Sequence, residues 1–355
     1  MKSRHCPYVL QLQQRSDAPA RRSRRLLIAL GAGTLTTALA GALTGASAAH
    51  AQGSGPPARI GFIVSPNATA IATRLAGFRQ GMRENALIEG QHYVIDAVYA
   101  DGQSERFPAL AQELLQRAPA VIMVSTIASV RAAQQATRTV PIVMTGVNDP
   151  VGTGLVASLA RPGGNTTGQS SQNEDLTAKF VEFVREALPR AKRIALLTNP
   201  TNASLQKLGE QVRVAALKFG LETRAFEVAT PAALDAAFAA IARQQPDALV
   251  VLSDAMLNAE PQRISAFALK NRIAAFGGPA DFAEAGSLLA YGASGPENFR
   301  RSATYVRKIL AGAKPADLPI EQPIKFEMVI NLKTARALGL AIPKDLLLRA
   351  DKIIE

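Results

Sequence analysis

The sequence predicts an α/β protein with two similar lobes, each a parallel sheet flanked by helices. From residue 59 onward, short apolar runs alternate with amphipathic helical segments, which is typical of βαβ units. The same alternation restarts roughly 130 residues later, which indicates an internal duplication. The chain of 355 residues is long enough for two such lobes.

The first lobe begins with a predicted strand at 59–64, and the next helix carries Ile71, Leu75 and Phe78 on one face. Further strands are predicted at 93–99, 121–125 and 142–147, with helices at 105–116 and 127–137. Because successive strands are joined through helices, the sheet is expected to be parallel and covered on both faces.

Three segments of the second lobe match segments of the first in the same order. The pairs are 193–202 with 59–67, 246–254 with 119–126, and 273–278 with 142–146. A helix follows the first of these segments and ends at Gly220, a typical C-terminal cap.

These patterns divide the chain into a leader and two lobes. The leader is 1–51, the first lobe is 58–170 plus 288–318, and the second lobe is 171–287. The last segment, 319–355, has no counterpart that fixes its lobe, and we assign it to the second. The chain would then cross between lobes near 168–174, 286–290 and 318–326, and such crossings make a hinge.

The leader resembles an export signal. A basic start with a single acid, Asp17, precedes an uncharged stretch at 26–49, which ends in Ala49-His50-Ala51. Arg24 and Arg25 lie in a Ser-Arg-Arg-Leu-Leu-Ile segment that resembles the twin-arginine motif. We predict cleavage after Ala51 and a periplasmic protein; an uncleaved membrane anchor is the alternative.

Removal of the leader changes the composition. The formal net charge falls from +12 to +6, because seven basic residues and one acidic residue are lost. The remaining sequence contains no dense run of Lys or Arg residues, so we expect no nucleic-acid partner and no membrane-surface binding. Cys6, the single cysteine, also leaves with the leader, and His92 is then the one remaining histidine.

This residue inventory argues against several enzyme and receptor classes. A Ser-His-Asp hydrolase needs a histidine beside its serine, and His92 precedes a strand, away from the carboxyl ends. Zinc and copper sites need clustered His or Cys ligands. No phosphate-binding glycine loop follows the first strand, and a leader stands where a DNA-reading regulator would carry its helix pair. We therefore expect no catalytic residue, no metal and no cofactor.

A small ligand is expected beyond the carboxyl ends of the strands, where helix N-termini point. The polar and aromatic residues at these positions form the candidate ligand-binding set: Ser65, Asn67, Ser125, Thr126, Asp149, Asn199, Thr201, Asp254 and Tyr291. Each also has a structural alternative. Ser65, Asn67 and Thr126 are possible helix N-caps, Asp149 precedes Pro150 in a possible turn, and an aromatic residue is often part of the core.

Three longer stretches carry a resemblance to a known family. They are VNDPVGTGLV at 147–156, LARPGGNTTG at 159–168 and FEMVINLKTA at 326–335. With them the chain resembles the substrate-binding proteins of bacterial ABC importers, in the family that includes tryptophan- and tyrosine-type solute receptors. The family often has a Ser-Gly-Thr-Pro-like turn after the third strand, whereas this chain has Ser125-Thr126-Ile127-Ala128.

The resemblance implies a type I periplasmic-binding fold and a monomeric receptor that captures a small solute and delivers it to an ABC permease. An amino acid or a related small organic solute is the expected ligand. Its carboxylate would lie at the helix start after Ser125 and Thr126, and its ammonium against Asp254. The alternative function is a periplasmic sensor that feeds a membrane signalling protein.

Overall fold

Two separate sheets organise the described part of the chain, residues 55–323 and 325–355 of this computed structural model. The predicted leader, 1–51, lies outside the described residues. The first sheet has five strands in the order β2-β1-β3-β4-β5, and the second has seven in the order β12-β11-β10-β9-β8-β6-β7. All strand pairs are parallel except β10 with β11.

The first-sheet strands are β1 (Ala58–Val64), β2 (Tyr93–Tyr99), β3 (Val121–Val124), β4 (Ile142–Asn148) and β5 (Thr166–Ser171). The second-sheet strands are β6 (Arg193–Thr198), β7 (Glu222–Glu227), β8 (Ala248–Val251), β9 (Ala274–Gly277), β10 (Leu289–Ala293), β11 (Phe326–Asn331) and β12 (Lys352–Ile354).

The helices are α1 (Ala68–Glu84), α2 (Phe107–Gln116), α3 (Ile127–Ala136), α4 (Asn173–Ala187), α5 (Ala203–Lys218), α6 (Leu234–Gln244), α7 (Pro261–Lys270), α8 (Ala280–Glu284), α9 (Gly295–Leu310), α10 (Leu332–Leu338) and α11 (Lys344–Leu348). None of these helices is both long enough and apolar enough to cross a bilayer.

Both faces of each sheet are buried, as a parallel sheet between helices requires. In β1, Ile60 and Phe62 point into the core under α1 and α9, while Ile63 points into the core under α2 and α3. Leu196 and Leu197 of β6 divide in the same way between the two cores of the second sheet. The predicted fold class, two α/β lobes with the type I arrangement, is confirmed.

Three segments join the two lobes. The first lies between β5 and α4, the second between β10 and α9, and the third runs from Glu321 to β11. The third is attached to β5 before it crosses, because the Ser170 N–H donates to the Glu321 carbonyl and the Glu321 N–H donates to the Gly168 carbonyl, at 2.9 and 3.0 Å.

One part of the predicted division is wrong. The strand at the start of 288–318 was assigned to the first lobe, but β10 pairs with β9 and β11 of the second sheet. The second crossing therefore follows β10, and α9 alone returns to pack on the first sheet, through Phe299 and Val306. The last two strands, β11 and β12, extend the second sheet.

Candidate functional site

A cavity of about 170 Å³ lies between the lobes, where the carboxyl ends of the strands meet the crossing segments. Its wall combines polar and apolar surface in similar amounts. The polar and charged side chains that line it are Arg74, Ser125, Thr126, Thr145, Asn148, Ser171, Asn173, Thr177, Asn202, Ser253, Asp254, Asn258, Tyr291 and Asn298. This volume is below the roughly 300–1,000 Å³ of pockets for drug-sized ligands, so it suits a small solute.

A second cavity, of about 320 Å³, lies on the other side of the start of α3. Both lobes contribute to its wall, and it shares Thr126, Asn202 and Asp254 with the first cavity. The two cavities are therefore neighbours, and we refer to them together as the cleft.

Seven of the nine residues that the sequence singled out lie in this cleft. Those lining the first cavity are Ser125, Thr126, Asp254 and Tyr291, and those lining the second are Ser65, Asn199 and Thr201, with Thr126 and Asp254 again. This convergence from two lobes agrees with the rule that ligands bind beyond the carboxyl ends of parallel strands.

Asn67 and Asp149 lie elsewhere. Asn67 is exposed at a separate surface hollow, and its side chain caps α1 by accepting a hydrogen bond from the Ala70 N–H. Asp149 shapes a turn: one carboxylate oxygen accepts from the Gly152 N–H at 2.9 Å, and the residue has a positive φ of 38°. For these two residues the structural alternatives explain the side chains.

The start of α3 is built as an anion-compatible helix end. Thr126 and Ser129 form a capping box, in which each side chain accepts from the backbone N–H of the other. The first intrahelical bond is the one from Val130 to the Thr126 carbonyl, so the N–H groups of Ile127 and Ala128 precede the helical ladder. These groups carry the positive end of the helix dipole next to the cleft.

Asp254 lines both cavities and also makes structural hydrogen bonds within the second lobe. Its carboxylate accepts four hydrogen bonds, from Asn199 Nδ2, Asn202 Nδ2 and the backbone N–H groups of Met256 and Leu257, at 2.9–3.3 Å. The residue is only 8% exposed. The carboxylate therefore holds together the two loops that follow β6 and β8, and most of its acceptor capacity is already used.

Sequence reasoning also missed part of the cavity wall. Phe180 and Phe299 line the cavity as Tyr291 does, and neither was among the candidate residues. Tyr291 is held by an edge-to-face contact with Phe183, and Lys179 Nζ lies 5.4 Å from its ring centre.

Arg74 is the most important cavity residue that the sequence-based candidate set did not include. It lies in the middle of α1, far in sequence from any strand end, and yet its side chain lines the first cavity. The one signal for it in the sequence is its spacing: Arg74 is three residues after Ile71 and four before Phe78, both buried, so a cation falls on the inward face of an amphipathic helix.

Proteins of known sequence and structure are similar to this chain. The profile of the family described as "ABC transporter substrate binding protein" matches residues 59–354. A tyrosine-binding protein from Clostridioides difficile (strain R20291) is 25% identical over 264 residues, which are 74% of this chain and 76% of that protein.

Solved structures share the fold. A conserved domain protein from Vibrio cholerae superposes with a TM-score of 0.78 at 28% identity, covering 83% of this chain and 99% of the other. A Streptococcus pneumonia ABC domain in complex with L-Trp gives a TM-score of 0.77 at 23% identity, covering 84% and 100%.

Proposed function

We propose that this chain, which belongs to the ABC transporter substrate binding protein family, captures an amino acid or a related small organic solute between its two lobes and delivers it to an ABC permease. The observation that carries the proposal is the cavity between the lobes, whose wall contains many polar side chains from strand ends of both lobes and from the crossing segments. Amino acids are favoured because one relative is a tyrosine-binding protein and one structural neighbour holds L-Trp.

The lobes meet on both sides of the cleft. On one side Arg74 of α1 approaches Asp281 of α8, and on the other Gly102 is so close to Pro231 that a Cβ at Gly102 would lie 3.1 Å from the ring. The two lobes are therefore in contact, and we infer a closed arrangement in which a bound solute would contact both of them. A solute with higher affinity for this arrangement would shift an open–closed equilibrium towards it.

Ligand binding is expected to stabilise the mature protein and to close the cleft. A solute at a hundredfold excess over its Kd should add about 2.7 kcal/mol to the free energy of unfolding, which a thermal-shift screen of amino acids and small organic acids will detect. For the best solute, small-angle scattering should show a smaller radius of gyration and the mass of a monomer.

A matched control is Ser125→Phe, which places a large side chain in the cavity wall. We expect this variant to fold but to show neither the thermal shift nor the change in scattering. A wild-type protein that no solute stabilises, or a scattering profile unchanged at saturating ligand, would contradict a hinged receptor.

We also propose that the chain reaches the periplasm by the twin-arginine route and is cleaved after Ala51. The leader concerned, 1–51, lies outside the described residues. Replacing both Arg24 and Arg25 by lysine should leave an uncleaved precursor in the cytoplasm, detected by fractionation and mass spectrometry. The control replaces Arg21 and Arg22 by lysine, which changes the same residue types outside the motif. Normal processing of the first variant would exclude this route.

A further inference from the structure

Arg74 is a cation in the wall of the cavity between the lobes. It lies on the first-lobe helix α1, and 20% of its side chain is exposed. A guanidinium has five N–H donors in a planar fork, and a largely buried one is stable only when acceptors or an opposite charge surround it.

The one ion pair that the described residues provide for Arg74 is a loose one. Its Nη2 lies 3.6 Å from the Asp281 carboxylate of α8, which is longer than a direct hydrogen bond, and 46% of the Asp281 side chain is exposed. Burial lowers the pKa of Arg74, and the charge of Asp281 opposes that shift only partly. Since an arginine stays protonated in any case, its charge remains incompletely compensated.

The surrounding backbone makes room for this side chain. Gly295, the first residue of α9, also lines the cavity, and a Cβ at Gly295 would lie 2.9 Å from Arg74 Nε. Helix α9 itself lies directly against α1 because Gly77 has no side chain towards Pro296. The second crossing segment is therefore shaped around an arginine that faces the cavity.

A second unsatisfied donor lies in the same wall. Asn148, at the end of β4, is 8% exposed, and its Oδ1 accepts a hydrogen bond from Ser171 while its Nδ2 has no partner among the described residues. The α3 N-terminus, with its free N–H groups, borders the cavity too. A buried donor such as Asn148 Nδ2 calls for an acceptor, and the partly exposed Arg74 and the α3 N-terminus add two further donor groups on first-lobe elements around the same cavity.

We propose that Arg74 selects solutes that carry a carboxylate, by pairing with that carboxylate in the closed cleft. The inference rests on the proposed function and deepens it, because it names the group of the solute that is recognised and the residue that recognises it. A carboxylate supplies the planar pair of oxygens that matches the guanidinium fork and leaves acceptor capacity for Asn148. Arg74 would then keep its looser ion pair with Asp281 of the second lobe in addition to its pair with the solute carboxylate.

The test compares Arg74→Gln and Arg74→Lys with wild type by calorimetric titration of matched compounds. The probes are L-tyrosine and L-tryptophan, their decarboxylated amines tyramine and tryptamine, and their desamino acids desaminotyrosine and indolepropionate. Wild type should bind acids and reject the amines. Arg74→Gln should weaken binding of the acids at least about thirtyfold, as expected for removal of one partner of a desolvated charge pair, and Arg74→Lys should recover part of that loss.

Two control variants separate this role from others. Arg79→Gln removes the same charge from the same helix at an exposed pair with Glu89, and it should bind as wild type does. Asp281→Asn removes the cross-lobe partner and should change the affinity much less than Arg74→Gln does. Equal losses in Asp281→Asn and Arg74→Gln would assign Arg74 to lobe closure and overturn the inference.

The remaining outcomes are also decisive. Acids that bind Arg74→Gln as tightly as wild type, or amines that bind wild type as tightly as the acids, would overturn the role of Arg74 and leave the receptor function intact. If none of the six compounds binds wild type, the inference fails, and an aromatic amino acid is excluded as the solute of the proposed receptor.

Discussion

Replacing Asp254 by alanine is expected to lower the free energy of unfolding by about 3–5 kcal/mol, because four largely buried donors lose their acceptor at once. Two of these donors, Asn199 Nδ2 and Asn202 Nδ2, belong to the loop after β6, and two are backbone N–H groups after β8. The loss should therefore be global, and urea unfolding of the ligand-free mature protein measures it.

Asp254→Asn should have a smaller effect, about 1–3 kcal/mol. One carbonyl oxygen can still accept hydrogen bonds, but the new amide group must face a donor, either Asn199 Nδ2 or Asn202 Nδ2. A matched control is Asp235→Asn, since the side chain of Asp235 is 82% exposed and forms a surface ion pair with Arg263. Its effect should lie within about 0.5 kcal/mol.

The same variants separate a structural role from a ligand-binding role. One possible result is that Asp254→Asn no longer binds solute but is as stable as both wild type and Asp235→Asn. The Asp254 carboxylate would then contact the ligand directly, as the sequence alone suggested. If stability and affinity fall together, Asp254 acts by ordering the loops that line both cavities. The four hydrogen bonds favour the second result.

The fold was largely predictable because each buried strand is a short apolar run and each amphipathic helix has a helical period in the sequence. Ile60, Phe62 and Ile63 face two opposite cores and so form part of such a run, which can be recognised without knowledge of the strand partners. Strand partners are not encoded in this way. β10 was assigned to the first lobe because the strand–helix pattern at 288–310 was interpreted as a return of the first-lobe pattern. The sequence has no signal that distinguishes a crossing after β10 from one before it.

The candidate site was predictable only where it follows a strand. Ser125 and Asn199 were found because the topology of a parallel sheet places strand ends at one edge. The rule cannot tell a side chain that faces the cleft from one that serves its own loop, so Asn67 and Asp149 were included and the loop-ordering role of Asp254 was not foreseen. Arg74 comes from the middle of a helix, and only tertiary packing brings it to the cavity.

The contact between α1 and α9 should be the most sensitive helix packing around the site. A Cβ at Gly81 would overlap the backbone carbonyl of Arg300 and lie 2.9 Å from the Ala303 Cβ, and one at Gly77, a turn earlier, would overlap the Pro296 carbonyl. Backbone atoms of a helix cannot move aside individually, so relief requires the two helices to separate. Gly81→Ala is expected to cost about 1–3 kcal/mol, and the Gly77→Ala/Gly81→Ala pair more, despite the better helix propensity of alanine.

Separation of these helices should also weaken ligand binding, because Gly295 of α9 and Arg74 of α1 line the same cavity wall. We therefore expect Gly81→Ala to reduce both the urea midpoint and the affinity for the carboxylate solute. Gly209→Ala is the matched control: it lies in α5, where a Cβ would meet only Leu252 Cδ1 at 3.8 Å, so alanine should stabilise the helix by up to about 1 kcal/mol. If both alanine variants are equally stabilised, α1 and α9 are not in the close contact that places Arg74, and the argument for its position loses its support.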